Sequence, residues 1–138
     1  MSPDEVRAFL LHGTRTGKLG VSMNDGQPHV MPIWFVLDGD DVVFTTHVDT
    51  VKGNWIRKDG RLSLCVDEEV APYAFVHLRG RASFSEDLEE MRRWATLIGG
   101  RYMGEDRAEE FGARNALAGE LLVRLTPERV IAQSGVAD

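Results

Sequence analysis

With 138 residues, 43% of them hydrophobic and 28% charged, the chain has the make-up of one soluble globular domain, residues 1–138. Its formal net charge of −6 excludes a broad basic surface for nucleic acid or anionic lipid, so any anion site must be local. A single cysteine, Cys65, excludes an internal disulfide, and no apolar run approaches the ~18 residues of a membrane span.

Ser2-Pro3-Asp4-Glu5 opens the chain as a capping box with proline at the first helical position, and Val6, Phe9 and Leu10 give a short helix to about Leu11. Gly13–Gly17 reads as loop and Lys18–Met23 as a first strand. Asn24-Asp25-Gly26 then turns into a second strand, Pro28–Leu37. That run is apolar on both alternating faces: Val30, Pro32, Trp34 and Val36 on one, Met31, Ile33, Phe35 and Leu37 on the other. Such a pattern predicts a strand covered on both sides. Asp38-Gly39-Asp40-Asp41 turns the chain into Val42–Val48, whose end is polar at Thr45, Thr46 and His47.

Thr50 is a good N-cap for a helix over Val51–Lys58. Its start would aim orphan N–H groups and the Lys52 ammonium at one place, beside an apolar wall that could take a flat ring. A capped surface helix with a solvated lysine is the competing reading of the same residues.

Asp59-Gly60 ends that helix, and Arg61–Val66 is a fourth strand with Leu62, Leu64 and Val66 on one face. Asp67–Pro72 is an acidic loop. Tyr73–Phe84 is a long fifth strand with Val76, Leu78 and Ala82 on one side. His77, Arg79 and Arg81 share the other side, which is wet or meets a partner, and Gly80 marks a bulge or a close backbone approach. Asp87 and Glu90 form a second capping box for a helix that Gly99-Gly100 breaks. Glu109, Glu110 and Phe111 favour a further helix. Glu120–Leu125 alternates as a sixth strand, and Arg129–Gln133 extends it past Pro127.

Six strands joined mostly by hairpins, with few helices, predict a mainly β fold: an antiparallel sheet closed as a barrel. The doubly apolar second strand calls for a cover. A second copy of the chain is the simplest one, so a homodimer is expected. No signal peptide opens the chain, and a cytoplasmic location is expected.

His12, His29, His47 and His77 lack the i, i+4 spacing of a helical zinc pair, so no metal site is expected. No nucleophile elbow, phosphate-binding P-loop or dinucleotide fingerprint occurs. The acidic runs read as solvated, and Cys65 reads as a small buried residue. Trp55 and Trp94 read as core or interface. Trp34, near the Thr45-Thr46 edge, is the better candidate for stacking on a ligand.

The order of PHVMPIWF, VVFTT and TVKGN resembles the pyridoxamine 5′-phosphate oxidase-like split-barrel flavoproteins, most of all their branch that uses the deazaflavin coenzyme F420. The resemblance covers nearly the whole chain. It implies a six-stranded antiparallel split β-barrel with flanking helices, as a homodimer with cofactor at the interface. It implies that Met31, Pro32, Ile33 and Trp34 line the ring and that Thr45 and Thr46 meet the ribityl chain and phosphate. Thr50, Val51, Lys52 and Asn54 would hold the phosphate, with Tyr73 reaching in from the second protomer. Where the oxidase proper carries basic residues, this chain has Val30, Phe35 and Val51. A reductase using reduced F420 on an unsaturated small molecule is therefore expected, with an FMN oxidoreductase or a non-catalytic flavin- or haem-binding module as alternatives. No catalytic acid is singled out.

Overall fold

A computed structural model describes residues 1–138. Helix α1 (Pro3–Leu11) leads into strands β1 (Gly17–Ser22), β2 (Pro28–Ile33), β3 (Val36–Asp38) and β4 (Asp41–His47). Helix α2 (Val51–Lys58) is followed by β5 (Arg61–Glu68) and β6 (Ala74–Ser85). Helix α3 (Leu88–Met103), a 3₁₀ turn (Glu105–Arg107), α4 (Ala108–Asn115) and β7 (Glu120–Ser134) complete the chain. The strands form one antiparallel sheet of seven in the order β2-β1-β5-β6-β7-β4-β3. Its two edges, β2 and β3, are consecutive in the chain, so the sheet curls on itself as a split barrel.

The expected single strand Pro28–Leu37 is thus two strands. β2 pairs with β1 and β3 pairs with β4, with a bend at Trp34-Phe35 between them. The Phe35 backbone leaves the sheet, and α3 supplies its partners: its N–H donates to the Tyr102 hydroxyl at 3.3 Å, and its carbonyl accepts from Arg101 at 2.6 Å. Unpaired backbone groups away from water are costly, so these two side chains make the bend possible. The seventh strand relative to the expected six is the product of this split.

Within one protomer β2 is not covered on both faces, and the cover expected for it is a second copy of the chain; the strands buried on both faces inside the protomer are β4 and β7. Within the protomer Val30 is 62% exposed and Met31 40%. By contrast Val42, Val43 and Phe44, and likewise Leu121, Leu122 and Val123, are buried in succession. One face of these strands fills the barrel interior with Leu19, Phe35, Phe44, Leu64 and Leu78. The other packs Val43 and Leu122 against Met91 and Trp94 of α3.

Three local expectations change. Gly99-Gly100 does not break α3. Both glycines are buried inside it: a Cβ on Gly99 would lie 2.6 Å from the Phe111 Cβ, so Gly99 lets α4 pack closely, and a Cβ on Gly100 would meet the Glu105 carboxylate of the 3₁₀ turn at 2.9 Å. The helix ends instead at Gly104, whose φ of 100° favours glycine. Asp87 caps Glu90 N–H, but the reciprocal half of the box is missing: the Asp87 N–H donates to Ser85, and Glu90 reaches Arg124. Cys65 is half-buried rather than buried, and burial raises its thiol pKa.

Candidate functional site

The β4–α2 corner builds the centre of the site. Thr50 caps α2. Its hydroxyl donates to the His47 carbonyl at 2.7 Å and accepts from the Gly53 N–H at 3.0 Å. A Cβ on Gly53 would fall 2.2 Å from the His47 carbonyl oxygen, so this tight corner requires glycine. Thr46, only 4% exposed, has its hydroxyl 3.1 Å from that of Thr50. Because the Thr50 proton is committed to His47, Thr46 is the donor of that pair.

The same bookkeeping shows which donors stay open. The Thr50 N–H goes to His47, and the Asn54 N–H makes the first intrahelical bond, to Thr50. With Gly53 bound to the cap, the N–H groups of Val51 and Lys52 are the orphans of the helix start. No hydrogen bond engages the Lys52 ammonium. Burial lowers its pKa, and the charge of Glu120 opposes that only in part.

Lys52, with Thr46 and Thr50, borders a cleft of about 310 Å³. Pro32, Ile33 and Trp34 form one wall, and Thr45, Thr46 and His47 with Thr50 and Lys52 form another. Trp34 is 38% exposed. One side of its ring is stacked on Tyr102, with centroids 5.0 Å apart and planes 5° apart, and Phe111 lies at 5.9 Å. Tyr102 is fixed in turn, since its hydroxyl donates to the Arg15 carbonyl at 2.8 Å. The wall is therefore rigid and apolar, as a planar ligand requires.

Met31, Val51, Asn54 and Tyr73 do not line the cleft. Met31 and the Val51 side chain are exposed, and Asn54 is half-buried on α2. Tyr73 precedes β6, where Ala74 pairs with Ser134 at the end of β7 opposite Glu120. Tyr73 therefore belongs to the opposite end of β7 from Glu120, and this protomer's own Tyr73 is not part of the cleft lining.

The cleft also contains His47, noted in the sequence only as part of the polar strand end, and three residues that no sequence signal marked: Ile98, Asn115 and Glu120. Glu120 stands opposite His47 in the β4–β7 register. Burial raises its pKa, while His47 and Lys52 pull it back down. A half-buried cation and a half-buried carboxyl, neither in an ion pair, face one small space. No three His, Cys, Asp or Glu side chains gather in a metal-holding group.

Residues 2–134 match the family model described as pyridoxamine 5′-phosphate oxidase. No curated protein matches the chain. Among solved structures, the conserved hypothetical protein Rv2991 of Mycobacterium tuberculosis superposes with a TM-score of 0.86 at 26% identity, over 98% of this chain and 86% of that one. A protein described as an F420 reductase gives 0.71 at 23% identity, over 90% and 94%. HutZ, the heme storage protein of Vibrio cholerae, gives 0.76 at 19% identity, over 99% and 98%. At such identities the last two share its fold.

Proposed function

The chain belongs to the pyridoxamine 5′-phosphate oxidase family, and from that premise we propose that it is an oxidoreductase that binds reduced coenzyme F420 in the Lys52 cleft and reduces an unsaturated small molecule. The observation that carries this reading is the open donor set facing the Trp34 wall. An anionic group in the cleft would meet the Lys52 ammonium and the orphan N–H of Lys52, and the ring system would lie along Pro32, Ile33 and Trp34. A shared fold with an F420 reductase supports the choice of coenzyme, as do Val30, Phe35 and Val51 where an FMN oxidase carries basic side chains.

The residues fit such a group, with one refinement. Thr46 and Thr50 have committed their protons to the corner, so their role is to hold α2 in place. Direct donation falls to the Lys52 ammonium and N–H and to the unbonded Thr45 hydroxyl. Glu120 does not cancel Lys52, because the two side chains form no ion pair and the charge of Glu120 offsets the burial of Lys52 only in part. When bound, the reduced coenzyme supplies a hydride. The chain's own contribution is to hold donor and acceptor in register and to exclude water. The reading includes a homodimer in the cytoplasm: a second copy would cover Val30 and Met31 on β2 and bring its Tyr73 to the cleft.

Fluorescence titration of oxidised F420 into the protein and into Lys52→Ala tests the proposal. The expected result is micromolar binding that the variant weakens by about 1–3 kcal/mol, the scale of a lost charge-assisted contact. Equal binding by both proteins removes Lys52 from the site. A yellow protein with an FMN spectrum would replace F420 with FMN in the same cleft.

A further inference from the structure

A cavity of about 480 Å³ lies between α1, the β3–β4 turn and β7, and it shares no residue with the Lys52 cleft. Neither β2 nor Tyr73, the parts of the chain that a second copy would meet, contributes to its lining. Its apolar walls come from Val6 and Leu10 of α1, Leu37 of β3, Leu78 of β6, and Val130 and Ala132 of β7. Leu10 and Leu78 are buried members of the barrel core, so the floor of the cavity is the core itself.

The register explains why this space is open. Val130 pairs with Leu78 and Ala132 with Val76, and residues directly opposite one another in a sheet share a face. Leu78 is 2% exposed, yet Val130 on the same core-facing side is 47% exposed. The β6–β7 pairing shifts between Arg79 and Gly80, where Pro127 stands opposite Gly80 and Glu128 is the extra residue on β7. A Cβ on Gly80 would lie 2.0 Å from the Thr126 carbonyl oxygen, so the irregularity requires glycine. A bulge bends its strand, and Val130 lies just past this one, beyond the full cover of α1. Apolar walls with a few placed polar groups, in a space of about 300–1,000 Å³, are the usual make-up of a small-molecule site.

The charges at the mouth select the occupant. The Arg7 guanidinium donates to Asp40 Oδ1 at 2.7 Å and to Asp4 Oδ1 at 3.3 Å. Two carboxylates thus share one guanidinium, each through a single oxygen. Asp40 borders the cavity, and its second oxygen makes no hydrogen bond. An ammonium at the mouth finds that free oxygen and evens the local charge. A carboxylate there would bring a third negative group to one cation. Attraction between such exposed groups is weak, so the apolar walls hold the ligand and the mouth chooses the sign of its head.

We propose that this cavity binds a small amphipathic amine, with an aryl or alkyl body against Leu10, Leu78 and Ala132 and one ammonium beside Asp40.

Titration of the full chain with 4-phenylbutylamine, 4-phenylbutanol and 4-phenylbutyrate, followed by calorimetry and amide NMR shifts, tests this. The amine is expected to bind about 5-fold more tightly than the carboxylate, with the alcohol between them. The gap should narrow as sodium chloride rises, and the shifts should centre on α1 and on Val130 and Ala132. Asp40→Asn is expected to remove the preference for the amine while leaving the alcohol's affinity unchanged. Ala132→Leu fills the cavity and is expected to lose all three ligands, and Val130→Phe serves as a second filling variant should that one not fold. Lys52→Ala is expected to keep amine binding, which separates the cavity from the cleft. Absence of amine binding overturns the proposal, as does equal affinity for amine and carboxylate. So does unchanged amine binding in the filling variants, or a set of shifts centred on Thr45, Lys52 and Glu120, which would seat the amine in the cleft.

Discussion

Arg101 and Lys52 are both half-buried cations whose pKa burial lowers, yet their surroundings are opposite. Arg101 donates to three carbonyls, those of Phe35 at 2.6 Å, Leu10 at 2.8 Å and Gly13 at 3.0 Å. Its guanidinium also lies over the Phe35 and Tyr102 rings at 4.7 and 4.8 Å. Every major donor direction is used, and the result ties α1, α3 and the β2–β3 bend together. Lys52 uses none of its three donors. A cation that the fold satisfies is part of the fold, and a cation that the fold leaves open is available to a ligand.

The largest effect follows from breaking the closed side. Arg101→Met leaves the Phe35, Leu10 and Gly13 carbonyls without their donor, and is expected to cost on the order of 3 kcal/mol. Thermal unfolding should show it as a fall in Tm of about 10 °C. Lys52→Ala should behave in the opposite way. Its folded pKa is depressed, so the ammonium disfavours the native state at any pH below that value, and removing it should leave Tm unchanged or raised. A comparable loss of Tm in both variants would erase the distinction between the two sites.

A smaller effect tests the wall that Arg101 and Tyr102 support. Gly99→Ala would place a methyl 2.6 Å from the Phe111 Cβ, so α4 must shift. Overpacking of this kind costs about 1–3 kcal/mol. Phe111 also touches Trp34, so displacement should change the tryptophan fluorescence as well as Tm. A fall in Tm with an unaltered spectrum would show that α4 does not position the wall.

The difference between the regions also explains what the sequence made legible. The α2 corner is local: Thr50, Gly53 and His47 lie within seven residues, so cap, helix and open donors follow from one short stretch. The same holds for the Ser2–Glu5 box. The β2–β3 bend is not local. Its apolar residues look alike on both sides of Trp34, and the partners of Phe35 lie 66 and 67 residues away. Gly99-Gly100 misleads for the same reason, since the 3₁₀ turn and α4 that need their small size come later in the chain. Glu120 could be placed in the cleft only once the β4–β7 register set it opposite His47.

The smallest effect concerns that carboxyl, the acidic counterpart of the open cation. Burial raises the Glu120 pKa above its ordinary 4.5, so the native state holds the proton more tightly than the unfolded chain does. Its contribution to stability therefore improves as pH falls through the raised value and stops changing below the unfolded one. Glu120→Gln should unfold at a higher temperature than the parent above the raised pKa, with the difference gone below pH 4.5. An anion seated at Lys52 would push the Glu120 pKa higher still, because like charges would then share the cleft. Binding should then take up protons, and affinity should fall as pH rises through the Glu120 range. Titrating oxidised F420 across pH checks this: the parent should show the slope, and Glu120→Gln should flatten it. Equal slopes in both proteins would show that the anion sits beyond reach of Glu120, and would move it out of the space that Lys52 and Glu120 share.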